Sequence, residues 1–237
     1  MSTDIPTGFL FIDKPATWTS HDIVAYLRRA TGVKKIGHAG TLDPFATGLL
    51  IIGVGRSATR QLDTFKGLEK TYVATIRLGY TSDTLDSDGV ITPASPAGVQ
   101  SITQEHIESV LQTLKGTQLQ TPPMYSAKKI GGKKLYELAR VGKVINRVPV
   151  PVSIYDIELL SWSEDTLKIR CIVSAGTYIR VLAADIGEAL GTGAYCATLR
   201  RTAIGPYSTT DAISPKMIVR ENWVANIKTL DDQGILF

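Results

Sequence analysis

Several stretches of the chain carry apolar residues in the patterns that strands produce. Residues 8–15 and 48–55 are short apolar runs that end at a proline or lie between glycines, as buried strands do. Residues 70–80 alternate apolar and polar positions, which is typical of a strand with one buried face. Similar patterns predict later strands over 151–162, 166–175 and 194–207.

Three other segments repeat apolar residues at helical spacing. The first begins at a capping-box pair, Thr19 and Asp22, and the others run over 101–116 and 178–190. The residues expected at the helix ends are, in chain order, Thr19, Gly32, Thr103, Gly116, Tyr178 and Gly191. Strands and helices mix without a regular strand–helix–strand period, so the sequence predicts an α+β fold rather than a doubly wound α/β fold.

Residues 117–150 interrupt this rhythm with prolines at both ends, a glycine pair and one short helix around 134–141. The segment holds one acid, Glu137, and carries a net charge of +6, whereas the whole chain carries +4. Such a charge excess is found both on solvated faces and on loops that clamp RNA phosphates, and the prolines and glycines favour the RNA loop. Its basic residues are Lys128, Lys129, Lys133, Lys134, Arg140, Lys143 and Arg147.

Composition excludes several classes of protein. The longest apolar runs are far shorter than the roughly 18 residues that cross a bilayer, and the acidic N-terminus is unlike a signal peptide, so we expect a cytoplasmic protein without membrane contact. Cys171 lies in an alternating strand pattern and is expected to be a buried core residue. The three histidines are scattered and show no metal-ligand spacing. TLDSDG (84–89) resembles the start of a calcium-binding loop, but Thr84 stands at its first position and Ser95 stands where the closing glutamate is expected, so no metal site is predicted.

The densest candidate for chemistry is residues 34–55, KKIGHAGTLDPFATGLLIIGVG. It places the carboxylate of Asp43 in a loop of small residues directly before a buried strand, where glycines permit close approach of a ligand. Taken alone, an Asp-Pro pair is also what an ordinary turn contains.

This segment resembles the central motif of the TruB family of pseudouridine synthases, and the similarity extends over about residues 8–210. Apart from GHAGTLDPFATGLL (37–50), the blocks that carry it are IDKP (12–15), TSHDIV (19–24), KTYVATIRLG (70–79), TSDTLDSDG (81–89), QTPPMYSAKKIGGKKLYELAR (120–140), SAGTYIRVLAADIG (174–187) and LRRTAIGPY (199–207). The family usually has glycine where Thr17 stands.

The resemblance implies the pseudouridine synthase fold, with a mixed, mostly antiparallel central sheet flanked by helices, and a role for each matching residue. Asp43 falls on the essential aspartate, Arg180 on the arginine that pairs with it, and Tyr72 on the tyrosine that stacks against the flipped base. Four further positions match residues that line or adjoin the nucleotide pocket: His38, Tyr178, Leu199 and Lys14. The segment 117–150 corresponds to the insertion that grips the T stem-loop, and Lys128, Lys129, Lys133, Lys134, Arg140 and Arg147 are its expected backbone contacts.

The implied activity is isomerisation of uridine 55 in the T loop of tRNA, without a cofactor, by a monomer that needs no protein partner. The aspartate either removes a sugar proton, the route generally preferred in the family, or attacks the nucleotide.

We expect a catalytic domain over 1–215 and a short tail over 216–237 in place of a PUA domain. Two alternatives are a guide-RNA-dependent, dyskerin-like synthase and a non-catalytic RNA-folding protein.

Overall fold

A computed structural model describes residues 6–95, 97–139 and 141–230. Arg140 and the side chains of Lys129 and Lys134 lie outside this description, so their RNA contacts stay predictions. The strands are β1 Gly8–Lys14, β2 Ile36–Ala39, β3 Thr47–Val54, β4 Lys70–Leu78, β5 Tyr80–Ser82, β6 Ile91–Pro93, β7 Gly116–Gln120, β8 Lys129–Ile130, β9 Lys133–Lys134, β10 Val150–Ser163, β11 Thr166–Val173, β12 Ala194–Ile204 and β13 Tyr207–Ser208. The α-helices are α1 Ser20–Thr31, α2 Arg56–Arg60, α3 Leu62–Lys66, α4 Gln104–Thr113, α5 Leu135–Ala139 and α6 Ile179–Ala189. The 3-10 helices are Ala97–Ser101, Thr209–Asp211, Pro215–Met217 and Trp223–Asn226.

The described residues divide into two compact units, which we call the terminal unit and the middle unit. The terminal unit comprises the residues up to Lys70 and those from Arg200 onward, and the middle unit is Thr71–Leu199. Strand β12 contributes its first residues to the middle unit and its last residues to the terminal unit.

The terminal unit is built on β3, which is covered on both faces. β1 runs antiparallel along one edge of β3, while the other edge pairs with β2 antiparallel and with Arg200–Arg201 of β12 in parallel. One face packs against α1, and the other against α2 and α3. Because both faces are buried, β1 and β3 are nearly continuous apolar runs, as the sequence predicts.

The middle unit contains the strand order β4-β11-β10-β7, with the first residues of β12 beside β4. β10 pairs antiparallel with both β11 and β7. β4 alternates buried and half-buried residues along its length, which confirms its predicted half-buried character. The α+β class with mostly antiparallel pairing is thus confirmed.

The helix starts agree with the sequence better than the helix ends do. Thr19 and Asp22 form the predicted capping box, and Gly32 ends α1 with a φ of 75°. Thr103 is the N-cap of α4, but the prediction that Gly116 ends this helix is wrong. The cap is Leu114, and Gly116 begins β7, so the chain leaves the sheet only after Gln120 rather than at residue 117.

Gly48 is required by strand packing. Its φ is 102°, and a Cβ there would lie 2.2 Å from the carbonyl oxygen of Arg201. The parallel pairing of β3 with β12 therefore depends on the absence of a side chain at this position. None of the helices in the described ranges combines the length and apolar character needed to cross a bilayer.

Candidate active site

Asp43 lies half-buried in the loop between β2 and β3, as the sequence predicts. Its carbonyl accepts a hydrogen bond from the Ala46 N–H at 3.1 Å, which tightens the turn. The carbonyl of the next residue, Pro44, accepts from the Thr17 N–H at 2.9 Å. The backbone on the C-terminal side of the carboxylate is thus tied to the segment that precedes α1.

Lys14 is part of the same arrangement. Its side chain is fully buried, and Nζ donates to the carbonyls of Pro15 at 2.9 Å, Trp18 at 2.6 Å and Pro44 at 3.3 Å. These bonds compensate the desolvation of a buried ammonium group. They show that Lys14 holds the Asp43 loop, while its predicted contact with the nucleotide remains a prediction.

Arg201 supports the other end of the loop, and sequence reasoning missed it. Its guanidinium is buried, with Nε donating to the Leu49 carbonyl at 2.8 Å and Nη2 to the Gly40 carbonyl at 3.1 Å. Gly40 follows β2 and Leu49 lies in β3, so one side chain links the two ends of the loop that contains Asp43. No local pattern marks Arg201 for this role, because it looks like any basic residue of a strand.

His38 lies on β2, and its Nδ1 is a buried atom without a hydrogen-bond partner among the described residues. Burial lowers the pKa of His38 to about 4, and the positive charge of Arg201 adds to this shift. The imidazole is therefore neutral near pH 7. Its place in the nucleotide pocket stays a prediction.

Arg180 is buried in the first turn of α6 and is held by two loops of the middle unit. Nη1 forms an ion pair with Asp86 Oδ2 at 3.1 Å and donates to the Thr84 carbonyl at 2.8 Å. Nη2 donates to the carbonyl of Tyr125 at 2.7 Å. The acid-rich TLDSDG segment thus supplies a buried carboxylate, that of Asp86, for the guanidinium. In the sequence this segment resembles the start of a calcium loop, and nothing in its pattern predicts the ion pair.

A reciprocal side-chain contact fixes the start of α6. Gln120 is buried, its Oε1 accepts from the Tyr178 N–H at 2.7 Å, and its Nε2 donates to the Tyr178 carbonyl at 3.1 Å. Tyr178 is the N-cap of α6 and its own side chain does not cap the helix. Gln120 therefore positions the turn from which Arg180 projects, and the sequence had not singled it out.

Tyr72 and Leu199 are buried residues of β4 and β12, with exposed fractions of 9% and 6%. Beside Leu199, the hydroxyl of Thr198 donates to that of Thr75 at 2.8 Å across these two strands. Both predicted pocket residues are thus set in regular strands rather than in loops.

The insertion, residues 121–149, contains the β8–β9 hairpin and α5. Lys133 is exposed and Lys128 half-buried. Arg147 donates through Nη1 to the Pro122 carbonyl at 3.1 Å and through Nε to the Ile145 carbonyl at 3.2 Å. Arg147 therefore uses some of its N–H groups to connect the two ends of the insertion, near Pro122 and Arg147.

The predicted residues divide between the units. Lys14, His38 and Asp43 belong to the terminal unit, and the others to the middle unit: Tyr72, Tyr178, Arg180 and Leu199. The pairing of Asp43 with Arg180 stays a prediction. Among the described residues, no group of three or more His, Cys, Asp or Glu side chains could hold a metal ion.

Comparison with known proteins identifies the same family throughout. Residues 28–179 match the profile of the TruB family pseudouridylate synthase N-terminal domain, and residues 180–233 match that of the tRNA pseudouridylate synthase B C-terminal domain. A Parabacteroides distasonis protein named tRNA pseudouridine synthase B is 45% identical over 215 residues, which cover 88% of this chain and 90% of that protein. A Desulfotalea psychrophila protein of the same name is 42% identical over 224 residues, covering 92% and 90%.

A solved structure supports the fold. A chain in the crystal structure of a Cbf5-Nop10-Gar1 complex superposes with a TM-score of 0.68 at 30% identity, covering 87% of this chain. The present chain spans about half of that protein's length, 52%.

Proposed function

The chain belongs to the TruB family of pseudouridylate synthases, and from this premise we propose that it converts uridine 55 in the T loop of tRNA into pseudouridine. The shared name of its curated relatives supports tRNA as the substrate. The observation that carries the catalytic assignment is the Asp43 loop, in which a half-buried carboxylate stands on a backbone held by Lys14, Thr17 and Arg201.

The reaction is an isomerisation. The bond from C1′ to N1 of the uracil breaks, the base rotates, and a new bond forms from C1′ to C5. C5 then loses its proton, and N1 carries a proton in the product. Atoms and electrons balance without any oxidant or reductant.

Asp43 starts the reaction as an ionised carboxylate, either by removing a proton from the sugar or by attacking the nucleotide. Arg180 pairs with Asp43 and favours its charged form, since a nearby guanidinium stabilises a carboxylate. The target base is unreachable while stacked, so the uridine must be flipped out of the T loop. Tyr72 stacks against the flipped base, and His38, Tyr178 and Leu199 line the pocket.

The basic insertion holds the substrate through phosphates of the T stem, which makes affinity depend on salt. We expect the protein to act as a monomer on free tRNA, without a guide RNA or a protein partner. Size-exclusion chromatography with light scattering tests the monomer, and a reaction that contains only the purified chain and a tRNA transcript tests the rest.

Release of tritium from a tRNA transcript labelled at C5 of its uridines measures the proposed activity. The wild-type protein should release label, and a transcript with cytidine at position 55 should not. Asp43→Asn should bind tRNA as tightly as the wild type and release none. Asp63→Asn is a matched control, because Asp63 is an exposed residue of the same unit, paired with Lys66 at 2.6 Å. A wild-type protein that binds tRNA but never releases label would be an RNA-binding protein rather than a synthase.

A further inference from the structure

The residue before Asp43 is held by a side chain that neither the sequence motifs nor the family comparison assigns to the site. Ser20 Oγ accepts a hydrogen bond from the Leu42 N–H at 2.9 Å and donates one to the Leu42 carbonyl at 3.2 Å. Both residues are buried, with exposed fractions of 2% and 3%. One hydroxyl thus engages both backbone polar groups of the residue next to the carboxylate.

The helix that carries Ser20 does not need this hydroxyl. α1 is capped by Thr19, which accepts from the Asp22 N–H at 3.0 Å, while Asp22 accepts from the Thr19 N–H at 2.8 Å. Ser20 is the first residue inside the helix, and its Oγ points to the Asp43 loop instead of to the helix end. The adjacent hydroxyls of the Thr-Ser pair therefore have separate tasks.

We call the two hydrogen bonds between Ser20 Oγ and the backbone of Leu42 the Ser20 clamp. The clamp holds the residue before Asp43, and other contacts hold the residue after it. Leu42 is held by Ser20, and the Pro44 carbonyl is held by Lys14 Nζ and the Thr17 N–H. A side-chain hydroxyl both accepts and donates through one oxygen atom, which is what simultaneous contact with an N–H and a carbonyl requires. Alanine at position 20 would leave both buried groups of Leu42 without that partner.

We propose that Ser20 is a positioning residue for catalysis, which sets the direction of the Asp43 carboxylate through the backbone of Leu42. The inference rests on the proposed function, because it assigns Asp43 the chemical step. A shift of about 1 Å in a reacting group lowers rates by as much as about 100-fold, so the clamp acts on the rate of the chemical step rather than on tRNA affinity.

Ser20→Ala tests the proposal, with Thr31→Ala as its matched control. Thr31 lies at the opposite end of α1, is 7% exposed, and makes the same kind of contacts: Oγ1 donates to the Leu27 carbonyl at 2.7 Å and accepts from the Val33 N–H at 3.1 Å. Both variants delete one buried hydroxyl from the same helix, and they should lower the melting temperature by similar amounts. Only Ser20 contacts the loop of Asp43.

The readouts are single-turnover tritium release at saturating enzyme, the dissociation constant for tRNA, and the melting temperature, with rates measured well below the lowest melting temperature. We expect Ser20→Ala to slow release about tenfold or more with tRNA affinity unchanged within about threefold, and Thr31→Ala to react like the wild type. If Ser20→Ala is not folded under the assay conditions, Ser20→Cys replaces it with a similar volume and weaker hydrogen bonding, and should slow release several-fold.

A wild-type rate in the folded Ser20 variant overturns the proposal. So does a loss of rate that Thr31→Ala shares, which would indicate general destabilisation, or a loss that arises from weaker tRNA binding. Failure of the proposed function is recognised separately, because the wild-type protein itself would then release no tritium.

Discussion

Thr17 adopts a backbone conformation that its side chain disfavours. Its φ is 70°, in the left-handed region, and its N–H donates to the carbonyl of Pro44. A β-branched residue with positive φ is rare, and the left-handed conformation costs an L-residue roughly 1–2 kcal/mol. In this conformation the Thr17 N–H reaches the backbone of the Asp43 loop.

Thr17→Gly should therefore stabilise the protein. Glycine removes the steric strain at this position, but it also gives the unfolded chain more conformational entropy, which costs less free energy than the strain does. We therefore expect the free energy of unfolding in urea to rise by about 0.5–1 kcal/mol. Ala16→Gly is the control, since Ala16 is also exposed but does not have a positive φ. Ala16→Gly should lower the free energy of unfolding. An equal gain in both variants would show that the effect does not come from strain at Thr17.

Asp185 on α6 is half-buried, and burial, with a smaller effect of Glu188, raises its pKa to about 6. Because the folded state binds this proton more tightly than the unfolded chain, its contribution to stability is full below pH 3.8 and is lost as the pH rises through 6. Asp185→Asn should raise the free energy of unfolding at pH 7.5 by about 1 kcal/mol, after allowance for partial exposure. Near pH 4 the difference should disappear, and denaturant unfolding at the two pH values measures it.

Among the elements, α6 depends on a neighbour that is distant in sequence. Gln120 at the end of β7 bonds both backbone groups of Tyr178, two residues before Arg180. The helix N-terminus, which has no side-chain cap of its own, is thus held by the strand that leads into the insertion.

Gln120→Leu should destabilise the protein by about 1–3 kcal/mol, because both groups of Tyr178 lose a buried partner. It should also slow tritium release at saturating tRNA at least about tenfold, because Arg180 shifts with the turn. Gln118→Leu, on the same face of β7, is the control and should keep the wild-type rate. Loss of stability with an unchanged rate below the melting temperature would exclude a positioning role.

For the insertion, the prediction concerns affinity alone. Lys133 is exposed on the β8–β9 hairpin, so Lys133→Gln should weaken tRNA binding and lower the slope of log affinity against log salt by about 1, with the rate at saturation unchanged. Lys168→Gln is the control, since Lys168 is exposed on β11 outside the insertion. Filter binding over a series of salt concentrations measures both, and equal slopes for the two variants would exclude the contact.

At the scale of the whole molecule, the two cysteines report on the integrity of the middle unit. Cys171 and Cys196 are both fully buried, and burial raises the pKa of Cys171 to about 12. Since the thiolate is the reactive form, iodoacetamide at pH 8 should alkylate neither cysteine in the native protein and both in urea. Mass spectrometry over a urea series checks this expectation, and rapid alkylation without urea would show that the unit opens readily.

The sequence by itself determined the class of fold, the main strands and helices, and the family. These features depend on local information: alternation in β4, apolar runs in β1 and β3, the capping box at Thr19, and motifs of adjacent residues such as that around Asp43. Where competing local signals meet, as at Gly116, the sequence-based boundary was wrong, because pairing of β7 with β10 decides where the strand begins.

Tertiary structure alone decided which side chains hold the candidate site. Ser20 meets Leu42 across 22 positions, Gln120 meets Tyr178 across 58, and Arg201 meets Leu49 across 152. Each contact replaces water at a backbone group that the fold buries, and the identity of that group is unknown until distant strands and helices have packed. A pattern along the chain records which residues are buried together locally, but it carries no record of partners that only folding brings within hydrogen-bond distance.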